Sequence, residues 1–243
     1  MRRLFALLLP LCAYLAAPAH ARETVVYEEI TEEWVEPAES GAERFVAGTG
    51  EALAPGAAYG PFRVLDEHRA ALTGITDGAS PAEFAAMLRD HPQLATLEML
   101  DCPGTFDDLA NLELGRMIRR AGLATHVPAD GSVRSGAVEL FLAGATRQID
   151  DGAEFAVHAW EDEAGLEATD FAADAPENRK YLAYYREMGM DAGRAAAFYA
   201  MTNSVPFENA LWLDAGEMRR WLPEAQQPAD PKLAYLDLRV VLP

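Results

Sequence analysis

The sequence predicts an α/β fold built around a parallel sheet. Three features predict it: strand-like and helical segments alternate from residue 94 to residue 158, several helices carry start and stop signals, and half of the residues (50%) are apolar, enough for a globular core.

The first 21 residues, MRRLFALLLPLCAYLAAPAHA, read as a secretory leader, with Arg2 and Arg3, an apolar run from Leu4 to Ala17, and small residues at Ala19 and Ala21 before the cut. The run falls short of the ~20 apolar residues of a span, and no later segment approaches that length. The expected product is periplasmic or secreted, with no membrane span after signal cleavage. Cys12 also allows a lipoprotein leader, although Leu9, Pro10 and Leu11 stand where such leaders end in a small residue. Residues 22–60 are acidic (YEEITEEWVEP) and then rich in Gly and Ala (GTGEALAPGAAYG), an approach segment with a short strand or two. Residues 61–243 form the main domain.

Within that domain, FRVLDEHRAALTG alternates as a strand should, and SPAEFAAMLRDHP is a helix with Ser80 as cap, Pro81 at its first turn and Pro92 past its end. LATLEML is a buried strand that stops at DCPGTFDD, where Pro103 and Gly104 break regular structure. FDDLANLELGRMIRRAG follows as a helix, with Leu109, Leu112, Ile118 and Ala121 near one face. Its acids come first and its arginines last, both favourable to the helix dipole, and Gly122 stands at the C-cap. ATHVP reads as a strand, SGAVELFLAG as a short helix and EFAVHAW as a strand. After a polar stretch come two helices, NRKYLAYYREMG and DAGRAAAFYAMTN, the second capped by Asp191. ALWLDAGEMRRWLP is a strand entering a short helix, and LAYLDLRVVLP a closing strand.

The formal net charge of −19 argues against a nucleic-acid partner or an anionic membrane surface, and losing Arg2 and Arg3 makes it more negative still. Acidic solubility explains it. No carboxylate cluster has calcium-loop spacing and the five histidines are scattered, so no metal or organic cofactor is expected. Cys102 is the only cysteine beyond the leader, which excludes an intramolecular disulfide. It is read as a small buried thiol, with a nucleophile paired to His126 or His158 as the alternative.

Ser135 holds the chemical interest. It lies between the glycine-bearing turn DGSVR and an apolar helix, where helix N–H groups can stabilise charge on an attacked carbonyl. A serine there is equally a good N-cap. His158 ends a strand of the same sheet, at the edge where α/β sheets bind ligands, and can be either a base or a buried core histidine. Trp160, Tyr184, Tyr185 and Trp212 are read as core residues or as aromatic walls of a site.

Four blocks in order, LEMLDCPGTFDD, ANLELGRMIRRAGLATHVPADG, RSGAVELFLAG and FAVHAW, resemble the ClpP/crotonase superfamily, in particular ClpP-like bacterial periplasmic proteins, over about residues 62–221. The resemblance implies a fold of repeated β-β-α turns, with the helices at 178–202 as an outward handle-like element. It makes Ser135 the nucleophile and His158 the general base. It places oxyanion donors on Gly136 and on the turn at Gly104 and Thr105, and an orienting third residue on Asn209 or Glu208. Two departures stand out: Thr105 replaces a glycine, and no aspartate precedes LWL. A serine–lysine dyad fits poorly, since Lys180 and Lys232 are the only lysines and neither lies in a matching motif. The resemblance further implies self-association into a homo-oligomer. The leading function is an envelope serine hydrolase, a peptidase acting on a peptide or small acyl substrate; the alternative is a degraded ClpP-like binding protein without activity.

Overall fold

The computed structural model describes residues 56–162 and 164–222, which lie within a compact unit spanning 44–243. The leader, most of the approach segment and the strand expected after Lys232 fall outside the described residues.

The chain enters through β1 (Ala58–Tyr59), β2 (Phe62–Val64) and β3 (Arg69–Leu72), paired antiparallel. The sequence pattern suggested one strand over the last two. The break comes at Asp66, whose Oδ1 accepts from the N–H groups of His68 and Arg69 at 2.9 Å each and so folds the chain into a hairpin. Helix α1 (Ser80–Asp90) follows. Its cap lies one residue earlier than expected, at Ala79, because Asp77 Oδ1 takes the N–H groups of Ala79 and Ser80, leaving the Ser80 hydroxyl bonded back to Asp77.

From there the chain repeats a β-β-α turn. β4 (Thr96–Met99), β5 (Asp101–Cys102) and α2 (Asp108–Ala121) make the first turn; β6 (Ala124–Val127), β7 (Ser132–Arg134) and α3 (Ala137–Leu142) the second; β8 (Arg147–Ile149) and β9 (Glu154–Val157) open a third. The first strand of each turn joins one sheet, ordered β1-β2-β3-β4-β6-β8, and the second joins another. In that second sheet, β5, β7 and β9 run parallel. β10 (Leu211–Asp214), leading into α6 (Ala215–Arg219), closes it antiparallel to β9, giving the order β10-β9-β7-β5. The parallel α/β architecture expected from the sequence is present. The strands that periodicity missed, β5, β7 and β8, have two or three residues each, too short to alternate visibly.

Both ends of α2 match the sequence reading: the Asp107 side chain accepts from Ala110 N–H at 3.0 Å, and Gly122 turns left-handed at φ 72°. Its inner face is built instead from Asn111, Leu112, Leu114, Gly115 and Ile118, whereas Leu109 is 69% exposed. Helices α4 (Pro176–Glu187) and α5 (Ala192–Thr202) do not extend outward as a handle. They carry Tyr181, Tyr184, Tyr185 and Phe198, all buried, and the three tyrosines tie the pair to α2 and α3. Tyr184 donates to the Glu139 carbonyl of α3 at 2.7 Å, Tyr181 donates to Asp108 of α2, and Arg116 pairs with Glu187 at 2.6 Å. Among the described residues no helix is long and apolar enough to cross a membrane.

Gly115 is the point of closest approach between α2 and α4, since a Cβ there would lie 1.9 Å from Tyr184 Oη and 2.8 Å from its Cζ. Alanine is the better helix former by about 1 kcal/mol. Gly115→Ala is nevertheless expected to lower stability by about 1–3 kcal/mol through overpacking, measured as a lower urea midpoint. An unchanged or higher midpoint would contradict this packing.

Candidate active site

β7 ends at Arg134 and α3 begins at Ala137, so Ser135 and Gly136 make the whole connection. To turn so sharply, Ser135 takes φ +50°, the only positive φ among the described non-glycine residues. For an L-residue this costs roughly 1–2 kcal/mol. Two bonds hold it there: Ser135 N–H donates to the Ala156 carbonyl at 2.8 Å, and its own carbonyl accepts from Val138 N–H at 3.0 Å. The cap position of α3 belongs to Gly136, with no side-chain capping bond. Ser135 therefore does not cap the helix. Its hydroxyl has no hydrogen-bond partner among the described residues.

Against this elbow lies the turn after β5, brought alongside by the parallel pairing of β5 with β7. Gly104 has φ +135°, and a Cβ there would stand 3.0 Å from Ser135 Cβ and 3.4 Å from its Oγ. Thr105 packs on Gly136, where an added Cβ would fall 2.6 Å from Thr105 Cγ2. The replacement of a glycine by Thr105 does no harm to the turn, because Gly104 alone takes the left-handed geometry. Thr105 Oγ1 contributes instead, accepting from Asp107 N–H at 3.1 Å and lying 3.2 Å from the Thr76 carbonyl. Among the described residues, neither the Thr105 nor the Gly136 N–H has an acceptor.

Sequence reasoning missed the residues that lock these two turns together. Asn111, 2% exposed, donates from Nδ2 to the Gly136 carbonyl at 2.7 Å, while its Oδ1 lies 3.0 Å from Thr76 Oγ1, itself 3.2 Å from the Gly104 carbonyl. Buried polar groups satisfied in this way fix one arrangement. The available signal was an asparagine in the apolar stripe of α2.

His158 follows β9 directly. Its Nδ1 lies 2.7 Å from the Ala159 carbonyl, which can only accept, so in the neutral tautomer that suits this contact Nδ1 carries the proton and Nε2 the lone pair. Phe207 meets the ring edge-on, with centroids 4.9 Å apart. The orienting group is thus a backbone carbonyl. Neither Glu208 nor Asn209 reaches the imidazole; both are exposed, in a turn where Asn209 N–H donates to the Pro206 carbonyl. That turn precedes β10, and the pairing of β10 with β9 begins only at Leu211↔Val157.

Ser135, Gly136 and His158 line one pocket, though the hydroxyl and the imidazole are not hydrogen-bonded to each other. Catalytic hydrogen bonds commonly tighten only around substrate. Asp108, Glu139, Trp160, Tyr181 and Tyr185 are also on the wall. Trp160 and Tyr185 are thus site aromatics, whereas Tyr184 is core and Trp212, on β10, does not line the pocket. Burial raises the Glu139 carboxyl to about 7, against the opposing pull of the Tyr185 hydroxyl. Cys102 is fully buried with its thiol 3.3 Å from the Leu72 carbonyl, and burial pushes its pKa far up, so it has no nucleophilic character. His126 is taken up by Glu98 and Asp150, at 2.6 and 3.2 Å. Lys180 holds its ammonium over the rings of Tyr181 and Trp160, at 4.9 and 5.4 Å, and does not line the pocket. Among the described residues no group of three metal-ligating side chains occurs.

No family model and no curated protein matches the chain. Among solved structures it is similar to two mutants of the 1510-N membrane-bound stomatin-specific protease. The first, in complex with a substrate peptide, is 14% identical over 62% of this chain and 69% of the other, with TM-score 0.43. The second is 15% identical over 62% and 73%, also with TM-score 0.43. Likeness at this level settles nothing about the chemistry of the present chain.

The strained serine yields a stability test. With no capping bond to lose, Ser135→Ala should unfold within about 0.5 kcal/mol of the natural protein, and Ser135→Gly should be more stable than both by roughly 1 kcal/mol as the strain is released. A capping serine would instead lose about 0.5–2 kcal/mol on change to alanine, and glycine would gain nothing. Thermal unfolding of the three proteins separates the two outcomes.

Proposed function

We propose that the protein is a serine hydrolase of the cell envelope, a ClpP-like peptidase in which Ser135 attacks a carbonyl and His158 takes up and returns the proton. The observation that carries this reading is the placement of a strained, uncapped serine, unpartnered among the described residues, in one pocket with a histidine whose Nδ1–H is already committed to a carbonyl. An imidazole held in that tautomer offers Nε2 as base, and a hydroxyl without a partner is free to give up its proton. The N–H groups of Gly136 and Thr105, both without acceptors, are the donors available to an oxyanion. The β-β-α repeats and the ClpP-like sequence blocks support the same family, and the leader supports an envelope location. Self-association belongs to the same reading.

In this mechanism Nε2 of His158 removes the hydroxyl proton as Ser135 Oγ bonds to the acyl carbon. The tetrahedral oxyanion collapses as the leaving group departs with that proton, and water then repeats the sequence to free the serine. Imidazolium forms next to a carbonyl dipole rather than a carboxylate. Its stabilisation is therefore weaker than in a triad with an acid, and modest turnover is expected.

One observation favours a second reading. Ser135 and His158 share no hydrogen bond, and among the described residues no acidic side chain orients the imidazole, as a binding protein with a decayed site would have it.

Turnover of a panel of ester and peptide substrates decides between them. Ser135→Ala should abolish hydrolysis, His158→Ala should cost about 10²–10⁴-fold, and the double variant little more than the worse single one. Glu208→Ala and Asn209→Ala should stay within about twofold, because both side chains are exposed and neither reaches the imidazole. Absence of turnover in the natural protein across the panel would favour the binding protein, and a large loss in Asn209→Ala would restore a side-chain triad.

A further inference from the structure

We propose that the pocket beside Ser135 selects a substrate carrying a cation, a primary ammonium or guanidinium on a short alkyl chain, next to the carbonyl under attack. This rests on the hydrolase reading and goes beyond it by naming a substrate class. Away from the reacting serine, the wall's hydroxyl and indole donors are spent internally: Tyr181 on Asp108, Tyr185 on Glu139 Oε1 at 2.6 Å, Trp160 Nε1 on Tyr199 Oη at 2.7 Å, and Tyr199 on Asn178 Oδ1 at 2.5 Å.

What the wall retains is acceptors. Asn203 Oδ1 is buried and has no partner, the only such side-chain atom among the described residues. Its amide orientation is fixed because Nδ2 faces the Tyr199 carbonyl at 2.8 Å, an atom that can only accept, and lies 3.1 Å from Thr202 Oγ1. Asp108 forms no salt bridge among the described residues, and Oδ1 is free beside the oxygen that Tyr181 engages. The Glu139 carboxyl accepts from the Tyr185 hydroxyl and from its own backbone N–H, and no cation is paired with it among the described residues. Among the described residues no lysine or arginine lines the pocket. An orphan amide oxygen and two carboxylates lacking a cation call for a ligand with several N–H donors and positive charge, because a neutral apolar ligand would leave the buried acceptors unsatisfied. Ammonium offers three donors and guanidinium five.

Two diphenyl phosphonates that differ only in side chain, aminobutyl against butyl, test this at pH 8, where a carboxyl raised to about 7 is mostly ionised. The expected result is second-order labelling of Ser135 about tenfold or more faster by the aminobutyl probe, as for hydrogen bonds to charged groups. Asp108→Asn, checked for native unfolding behaviour, should reduce that ratio several-fold. Equal labelling of Ser135 by both probes would overturn the cation preference and leave the nucleophile standing. Calorimetric titration with n-butylguanidinium and n-butylurea reads the pocket without the serine. Selective uptake of the guanidinium that is weakened in Asn203→Leu and Asp108→Asn would uphold the preference even if neither phosphonate labels, in which case only the hydrolase reading fails. Equal or absent uptake of both, with no labelling, would overturn the preference as well.

Discussion

The candidate site depends on one close approach, that of Gly104 to Ser135. The parallel register of β5 on β7 brings the two strand ends together, and a side chain on Gly104 would press on Ser135 Cβ at 3.0 Å. Both residues have positive φ, so the contact is made between two turns that each resist ordinary backbone geometry. The strain at Ser135, roughly 1–2 kcal/mol, is comparable with the gain from one or two buried hydrogen bonds, and Asn111 and Thr76 supply bonds of that kind on the neighbouring carbonyls. Strain of this sort persists only where the surroundings over-determine it. Here the surroundings are two sheets, the first turn of α2 and the start of α3.

The alternation of strands between the sheets has a consequence for the pocket. Each β-β-α turn delivers a strand end to the second sheet, and Gly104, Ser135 and His158 follow β5, β7 and β9 in that order. The opposite wall comes from α4 and α5, whose tyrosines bind down onto α2 and α3. Helices that could have extended away therefore close over the site, and their buried rings leave the pocket with more acceptors than donors.

Much of this was legible in the sequence. Ser135, His158, Gly136, Gly104 and Thr105 were each indicated by a local signal or a family-like block, and the structure gathers all five into one region. The alternation of strands and helices likewise gave the architecture. What stayed hidden was tertiary. Two- and three-residue strands carry no periodicity, and the hairpin at Asp66 depends on a side chain competing with the backbone ladder. Asn209 and Glu208 were expected near His158 from their place before the LWL block, but the turn holding them precedes the paired strand and faces solvent. A backbone carbonyl as the partner of His158 leaves no mark in a sequence, since every residue has one. Asn203 was equally silent, because an unpartnered atom is visible only once its neighbours are placed.

The central claim is that Ser135 is a nucleophile activated by His158. Intact-protein mass spectrometry after treatment with a fluorophosphonate tests it most directly, with the adduct located by peptide mapping. The account predicts a single adduct on the peptide containing Ser135, absent in Ser135→Ala and formed far more slowly in His158→Ala. No adduct on the natural protein, or an adduct on Ser135 that forms at the same rate without His158, would contradict it.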